Sequence, residues 1–232
     1  MEVSCKRPWL VADLGAPHRM LSWSISAPGF VTARRVVWRE VRNADLPPEL
    51  DALEWFRKQM RAAGHEQAVG LITSRDISRH HLRQADVEGD AATCLVTAGM
   101  SNAERVGRRR HPGPAVGTIN LLLRVNRPLS DAAMVEAMSV AVQARTLAVL
   151  EAGIETMPDG AAATGTGTDC VVVACPQGRA ERDFAGLHTL LGEAAGAAVL
   201  DAMRAAVAEW RAEQQAGEIW QIGGEARPQR CG

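Results

Sequence analysis

The chain has 232 residues, 47% of them hydrophobic, and a formal net charge of −1, enough apolar material for a sizeable core and no bulk charge to draw it to nucleic acid or an anionic membrane. Tyrosine is absent and aromatics make up 4%, which argues against a stacking platform for single-stranded nucleic acid. Five cysteines with no Cys-x-x-Cys spacing read as buried thiols in a reducing cytosol, not as a disulfide framework.

The first residues lack the apolar core of a secretory signal, and no apolar run has the length of a membrane span. A cytoplasmic protein is therefore expected, with an N-terminal extension over residues 1–19, one domain over 20–215 and a tail over 216–232. Residues 21–26 and 31–41 read as strands separated by the turn Ala27-Pro28-Gly29. Leu46-Pro47-Pro48-Glu49 starts a predicted helix that runs to about residue 63 and stops at Gly64, with Leu50, Leu53, Phe56 and Met60 at helical spacing. A short strand is expected over 68–73, a polar and partly helical stretch carrying His80 and His81 over 74–89, and a strand over 93–98.

Gly99-Met100-Ser101-Asn102-Ala103 follows, then a loop through Arg108-Arg109-Arg110 and His111-Pro112-Gly113-Pro114, whose basic run reads as a solvated loop. Gly117-Thr118-Ile119-Asn120 leads into a strand over 121–125. Ser130 as N-cap and Asp131 in the first turn open a long helix to Ala152, ended by Gly153. On that helix Met134, Met138, Val142 and Leu147 are expected to be buried. Ala163-Thr164-Gly165-Thr166-Gly167-Thr168-Asp169 closes the next loop and runs into a strand over 170–175. Its glycines allow close approach of backbone or ligand, and its threonines supply hydroxyls. After a polar turn, Gly186-Leu187-His188-Thr189 precedes a second long helix to about Gln214. The order gives an α/β or α+β single domain with a mixed central sheet covered by long helices, because a clean βαβα rhythm fails in the first half.

Four polar clusters fall near glycines at element ends, where ligands are commonly met: Ser101 with Asn102, Thr118 with Asn120, the Thr164, Thr166, Thr168 and Asp169 loop, and His188, Thr189 and Glu193. Asp169 suits a general base, a metal ligand or a loop-fixing acceptor. His188 at a helix start would be a neutral imidazole fit for proton transfer, and Glu193 lies one turn on. Gly192 and Gly196 point to close packing of the helix. No Walker A, Gly-x-Gly-x-x-Gly, His-Glu-x-x-His or paired Cys-x-x-Cys motif occurs, so neither a cofactor nor a metal is expected. Gly99-Met100-Ser101-Asn102-Ala103 departs from a nucleophile elbow at Ala103.

Taken in order, four segments resemble the adenosylcobinamide amidohydrolase family of cobalamin salvage. They are Leu95-Val96-Thr97-Ala98-Gly99-Met100-Ser101-Asn102-Ala103, Gly117-Thr118-Ile119-Asn120, Ala163-Thr164-Gly165-Thr166-Gly167-Thr168-Asp169 and Phe184-Ala185-Gly186-Leu187-His188-Thr189-Leu190-Leu191-Gly192-Glu193. The resemblance implies hydrolysis of the amide that joins a corrin propionyl side chain to aminopropanol, giving adenosylcobyric acid, with a corrinoid as substrate and no nucleic acid or membrane partner. The oligomeric state is left open, a homo-oligomer included. Within that frame Asp169 or Glu193 would activate water and His188 would carry the proton. Ser101, Asn102, Thr118, Asn120, Thr164, Thr166 and Thr168 would hold the substrate or its oxyanion. Relatives carry Thr-Glu-Ala-Lys where this chain has Val142-Gln143-Ala144-Arg145, so Gln143 or Arg145 is expected to reach the same cleft. The alternatives are a non-catalytic corrinoid-binding or regulatory paralogue, an amidohydrolase with another amide substrate, and a phosphate-binding enzyme using the Gly-Thr loop. A shared site requires Asn102, Asn120, Asp169 and His188 to line one cleft.

Overall fold

The structure is a computed structural model that describes residues 1–42, 45–47, 49–109, 117–156 and 159–217. Pro48, the end of the basic run at Arg110, His111-Pro112-Gly113-Pro114 and the tail beyond Gly217 lie outside the described residues. In chain order the strands are β1 (Glu2–Lys6), β2 (Trp9–Ser22), β3 (Gly29–Glu40), β4 (Val69–Thr73), β5 (His81–Val87), β6 (Asp90–Ala98), β7 (Ala103–Glu104), β8 (Ile119–Val125), β9 (Gly165–Thr166) and β10 (Cys170–Pro176). The helices are α1 (Ala52–Ala62), α2 (Asp131–Glu151) and α3 (Leu190–Ala216).

Seven strands run in the order β4-β3-β2-β10-β8-β6-β5, with β1 paired to β2, and β7 and β9 form a separate two-stranded ribbon. The β3–β4 and β8–β10 pairs are parallel and the other pairs of the large sheet are antiparallel, so the sheet is mixed, as the sequence pattern requires. Period-two alternation sorts the side chains. Leu10, Ala12 and Met20 on β2 face an inner core with Val36, Trp38, Leu71, Leu95, Leu122 and Val172. Trp9 and Val11, on the opposite face, meet Phe56 and Met60 of α1. Leu121, Leu123, Val171 and Val173 meet α2 and α3. All three helices therefore cover one face, and the sheet curls around the other. Asn120 at the start of β8 donates to the carbonyl of Ile72 on β4 (2.7 Å), although three strands separate β8 from β4 in the sheet order.

Caps and small residues place the helices. The Ser130 hydroxyl accepts from Ala133 N (3.1 Å) at the start of α2, and Thr189 accepts from Gly192 N (2.9 Å) at the start of α3. Ala137, Ala141 and Ala148 of α2 and Ala194, Ala195, Ala198 and Ala202 of α3 are fully or almost fully buried, and their small side chains let the two helices and the sheet approach closely. A Cβ on Gly192 would lie 2.7 Å from the Ala185 carbonyl oxygen, so that turn requires glycine. By length and composition α2 could cross a membrane, but its apolar residues pack on β10 and α3.

Several boundaries differ from the sequence reading. Residues 2–22, read mostly as an extension, form β1 and β2, and β2 sits inside the sheet. Gly15-Ala16-Pro17 hides it by breaking the alternation where the register shifts between Asp13 and His18. The strand expected over 21–26 ends at Ser22, and the chain then bends. α1 starts at Ala52, because the Asp51 carboxylate accepts from Leu53 N and Glu54 N and so caps it there. Leu50 consequently lies outside the helix and is exposed. The stretch expected to be partly helical holds one short 3-10 turn (Ile77–Arg79) and then β5, an edge strand polar enough to resemble a loop. On α2, Met134 and Met138 are buried as expected, whereas Val142 is half-buried and Leu147 exposed.

His18 is buried on β2 with its Nδ1 against the Ala16 carbonyl (2.9 Å), while its Nε2 accepts from Arg124 Nε (3.4 Å). Burial pulls its pKa below the ordinary value near 6.5, against the pull of the Ala16 carbonyl. The unfolded chain therefore takes up this proton first. The associated stability is present above pH 6.5 and is lost as pH falls through the folded value. Melting curves from pH 8 to 5 should show a steeper loss for the wild-type chain than for His18→Gln, and parallel curves would remove His18 from the acid response.

Candidate active site

The site forms at the mouth of the curled sheet, where three loops meet. Gly99 N donates to the Thr118 carbonyl (3.0 Å), and a Cβ on Gly117 would lie 2.6 Å from the Gly99 carbonyl oxygen and 2.9 Å from Ser101 N. Only glycine lets the strand entering β8 pass that close to the chain leaving β6. The Thr118 hydroxyl donates to the Thr168 carbonyl (2.7 Å), and the Thr168 hydroxyl donates to the Gly117 carbonyl (3.0 Å), so the Gly-Thr loop and the β8 entry clasp each other.

Asp169 is the hub of that loop. Its carboxylate accepts from Thr166 N (3.1 Å), the Thr166 hydroxyl, Ile119 N (3.2 Å) and Arg145 Nη1 of α2. Arg145 also reaches the Thr146 hydroxyl (3.2 Å), and its side chain is only 10% exposed, that of Asp169 5%. Burial pushes the Asp169 carboxyl above the ordinary carboxylate range, against the lowering pull of Arg145, Thr166 and Ile119. A Cβ on Gly165 would strike the Asp169 carboxylate and come within 3.2 Å of Arg145 Nη1, which explains the glycine there.

A second wall comes from β4 and from the bend after β2. Ser24 N donates to the Ser22 hydroxyl (3.0 Å), Ser24 and Ser26 share a hydroxyl bond (2.8 Å), and Ser26 holds both the N–H (3.0 Å) and the carbonyl (3.1 Å) of Gly70. This ladder pins the bend to β4 and leaves Trp23 and Ile25 projecting, 42% and 55% exposed. Arg75, just past β4, is bound bidentately by Glu213 near the end of α3, and its backbone N–H donates to the Thr73 hydroxyl (3.0 Å).

Between the walls lies a cleft of about 770 Å³, within the range of small-molecule sites. Trp23, Ile25, Leu46, Leu71 and Ile72 make its apolar side, and Asn102, Thr118, Asn120, Thr168 and Asp169 its polar side. A smaller cavity of about 310 Å³ adjoins it through Trp23 and Asp169 and is lined by Glu104, Arg145, Thr164 and Thr166. Cys170 also lines the main cleft, but burial, with Asp169 adjacent, pushes its thiol up to about 12, so it is a neutral thiol at physiological pH.

The structure thus brings together Asn102, Thr118, Asn120, Thr164, Thr166, Thr168, Asp169 and Arg145. Four other expected residues stand elsewhere. Ser101 is exposed and lines neither cavity. Gln143 is exposed on α2 and donates to Ser139 (3.1 Å), because it projects from a different side of the helix from Arg145. His188 and Glu193 are exposed and line neither cavity. The reason is the direction of β10. Asp169 precedes its first residue and the His188 loop follows its last, so the strand length, about 20 Å at 3.3 Å per residue, separates them. Ala185 N is moored to Glu136, more than two turns before Arg145 on α2. Sequence reasoning missed Trp23, Ser24, Arg42 and the Gly70–Ser74 wall. The available signals are the alternation of serine with apolar residues in Leu21-Ser22-Trp23-Ser24-Ile25-Ser26, in a segment that stands where the resembled family has a serine- and glycine-containing hairpin, and Ile72-Thr73-Ser74, where relatives often have Met-Thr-Ala.

The family model for adenosylcobinamide amidohydrolase matches residues 1–215. The adenosylcobinamide amidohydrolase of Methanosarcina mazei is 31% identical over 177 residues, which are 72% of this chain and 79% of that protein. The protein of the same name from Halobacterium salinarum is 30% identical over 168 residues, 66% of each chain. Among solved structures, a protein of Pyrococcus horikoshii OT3 overlaps 87% of this chain and 77% of its own at a TM-score of 0.41 and 11% identity, a likeness too loose to carry an argument.

Proposed function

Because the chain belongs to the adenosylcobinamide amidohydrolase family, we propose that it hydrolyses the amide between a corrin propionyl side chain and aminopropanol, releasing adenosylcobyric acid for corrinoid salvage in the cytoplasm. The observation that carries this reading to particular residues is the convergence of three family-like segments on one cleft, through Asn102, through Thr118 and Asn120, and through Thr168 and Asp169.

The cleft has the chemistry such a substrate needs. A corrinoid is larger than the cavity, so the reacting side chain enters while the ring edge stays at the mouth. Trp23 and Ile25 offer apolar surface at that mouth. The amide meets the polar wall. Asn120 and Thr118 support that wall, since both Asn120 termini are used, on Ile72 and on Thr118 (3.4 Å). Asp169, bound by Thr166, Ile119 and Arg145, holds the Gly-Thr loop in place. A wall held this way can position the scissile bond, and positioning is one contribution an enzyme makes to a reaction with water.

The test is incubation with adenosylcobinamide and detection of adenosylcobyric acid by mass. Product at a rate well above the uncatalysed background is expected. Trp23→Ala should raise KM about 10-fold, with a smaller effect on kcat, as expected for lost apolar contact to the ring. Tight corrinoid binding without product would overturn the hydrolytic reading.

A further inference from the structure

Resting on the reading above, we infer that the backbone N–H of Ile72, on the unpaired edge of β4, donates to the carbonyl oxygen of the scissile amide and holds the negative charge that this oxygen gains during hydrolysis. β4 stands at one end of the strand order and pairs only with β3. Successive residues of a strand turn their N–H and C=O groups to opposite edges. The Thr73 carbonyl accepts from Val41 N (2.8 Å), just past β3, so Val69, Leu71 and Thr73 serve the β3 side. Gly70 and Ile72 therefore face the other way. Ser26 bonds both the N–H (3.0 Å) and the carbonyl (3.1 Å) of Gly70 there, and Asn120 Nδ2 takes the Ile72 carbonyl (2.7 Å). Between those two anchors, on the same edge, the Ile72 N–H donates to none of the described residues.

The cleft opens onto this edge. Gly70, Leu71, Ile72, Thr73 and Ser74 line it without a break. Side chains alternate across a strand, and here Leu71 points into the inner core while Ile72 packs on the α1 side. Neighbours that face opposite sides meet one cleft along the backbone edge between them. A backbone N–H on such an edge takes an acceptor from a ligand, as it would from another strand. In the proposed substrate that acceptor is the amide carbonyl of the arm that enters. Water adds its oxygen to the carbonyl carbon, and the C=O electron pair moves onto the carbonyl oxygen. Collapse of that species breaks the C–N bond. Both protons of the water end on the aminopropanol nitrogen, which leaves as an ammonium, and the acyl part remains as a carboxylate. Ser26 and Asn120 hold the strand edge on either side of Ile72, so the donor is aimed before the substrate arrives. Its hydrogen bond is strongest while the oxygen is charged, so it acts on the reaction step more than on binding.

The test removes this N–H while sparing the β3–β4 ladder. Ile72→Pro deletes the donor, and an edge position whose N–H faces outward accepts proline. A chain with an ester in place of the Leu71–Ile72 peptide bond also deletes it and keeps the isoleucine side chain, so it decides the outcome if Ile72→Pro does not fold. Each chain is given adenosylcobinamide and its thioamide analogue, in which sulfur, a weaker acceptor, replaces the scissile carbonyl oxygen. Turnover and equilibrium affinity are both read. In the ester chain kcat for the amide should fall about 100-fold while KM rises no more than about 3-fold. The wild-type preference for amide over thioamide, in turnover or, where the thioamide is not cleaved, in affinity, should shrink in the ester chain. An unchanged preference, or a kcat within about 3-fold of wild type, would overturn the inference. A wild-type chain that binds adenosylcobinamide without cleaving it defeats the hydrolytic reading alone. The ester chain should then bind the amide about 3-fold more weakly than wild type, and equal affinity counts against the contact. A wild-type chain that binds neither substrate defeats both.

Discussion

Asp169→Asn should lose stability and turnover together. The change keeps the shape of the side chain but points an amide NH2 or a single neutral oxygen at Arg145, whose guanidinium is buried in the same cluster. A buried cation stripped of its partner costs about 3–5 kcal/mol. For a chain of this length about 3 kcal/mol corresponds to a fall in melting temperature of about 6–12 °C. Part of that cost is offset, because burial already holds the Asp169 carboxyl above its ordinary range. Relative to the unfolded chain the fold favours the protonated carboxyl, a contribution present below pH 3.8 and lost as pH rises through the folded value, so the neutral amide escapes a desolvation cost that the carboxylate bears at pH 7. Turnover should fall about 100-fold, the scale of a displacement of about 1 Å in a positioning wall. Adding Arg145→Met to Asp169→Asn removes the stranded cation and should recover most of the melting temperature without recovering turnover. An unchanged melting curve with lost turnover and a lost limb of the pH–rate profile would instead make Asp169 the proton acceptor.

Glu213→Gln should lower the melting temperature by a similar amount through a different part of the molecule. Arg75 Nη2 lies 2.7 Å from Glu213 Oε1, its Nη1 bonds the other oxygen, and both side chains are 10% exposed or less. Glu209, 3.6 Å from Arg75 and shared with Arg79 and His81 (2.9 Å), supplies part of the lost compensation. The expected cost is therefore near the lower end for a broken buried pair, about 3 kcal/mol. The second effect is functional. Arg75 holds Thr73, and Thr73 and Ser74 line the cleft, so KM should rise while kcat changes little. A shift in melting temperature below about 2 °C would show that the pair contributes nothing net.

The two long helices were legible because their N-caps, Ser130 and Thr189, stand next to sustained apolar patterns, and the strands of the second half because their apolar runs are short and bounded by glycine. β5 was not legible, since an edge strand with solvent on one side carries polar residues at most positions. β2 was not, since its bulge breaks the two-residue period. The site divides in the same way. Local chemistry pointed to Asn102, Asn120 and Asp169, whose convergence depends on glycines that the sequence displays. Arg145 could be inferred only from the resemblance. Trp23, Ser24 and the β4 wall come together through the curl of the sheet, a long-range property that the serine alternation over residues 21–26 does not encode. His188 and Glu193 fail for a different reason: they follow β10 whereas Asp169 precedes it, so the length of that strand stands between them.

The position of β10 also has a consequence for biosynthesis. Among the described residues it is the last strand made, yet it lies between β2 and β8 and pairs with both. A nascent or truncated chain that stops before residue 170 presents two unpaired inner edges, one of them the apolar Leu121-Leu122-Leu123 of β8. Such edges invite pairing with other chains. Fragments ending in the Gly-Thr loop should accordingly collect in the insoluble fraction on expression, whereas the full-length chain closes both edges with one segment and, in the same step, brings Asp169 to Arg145.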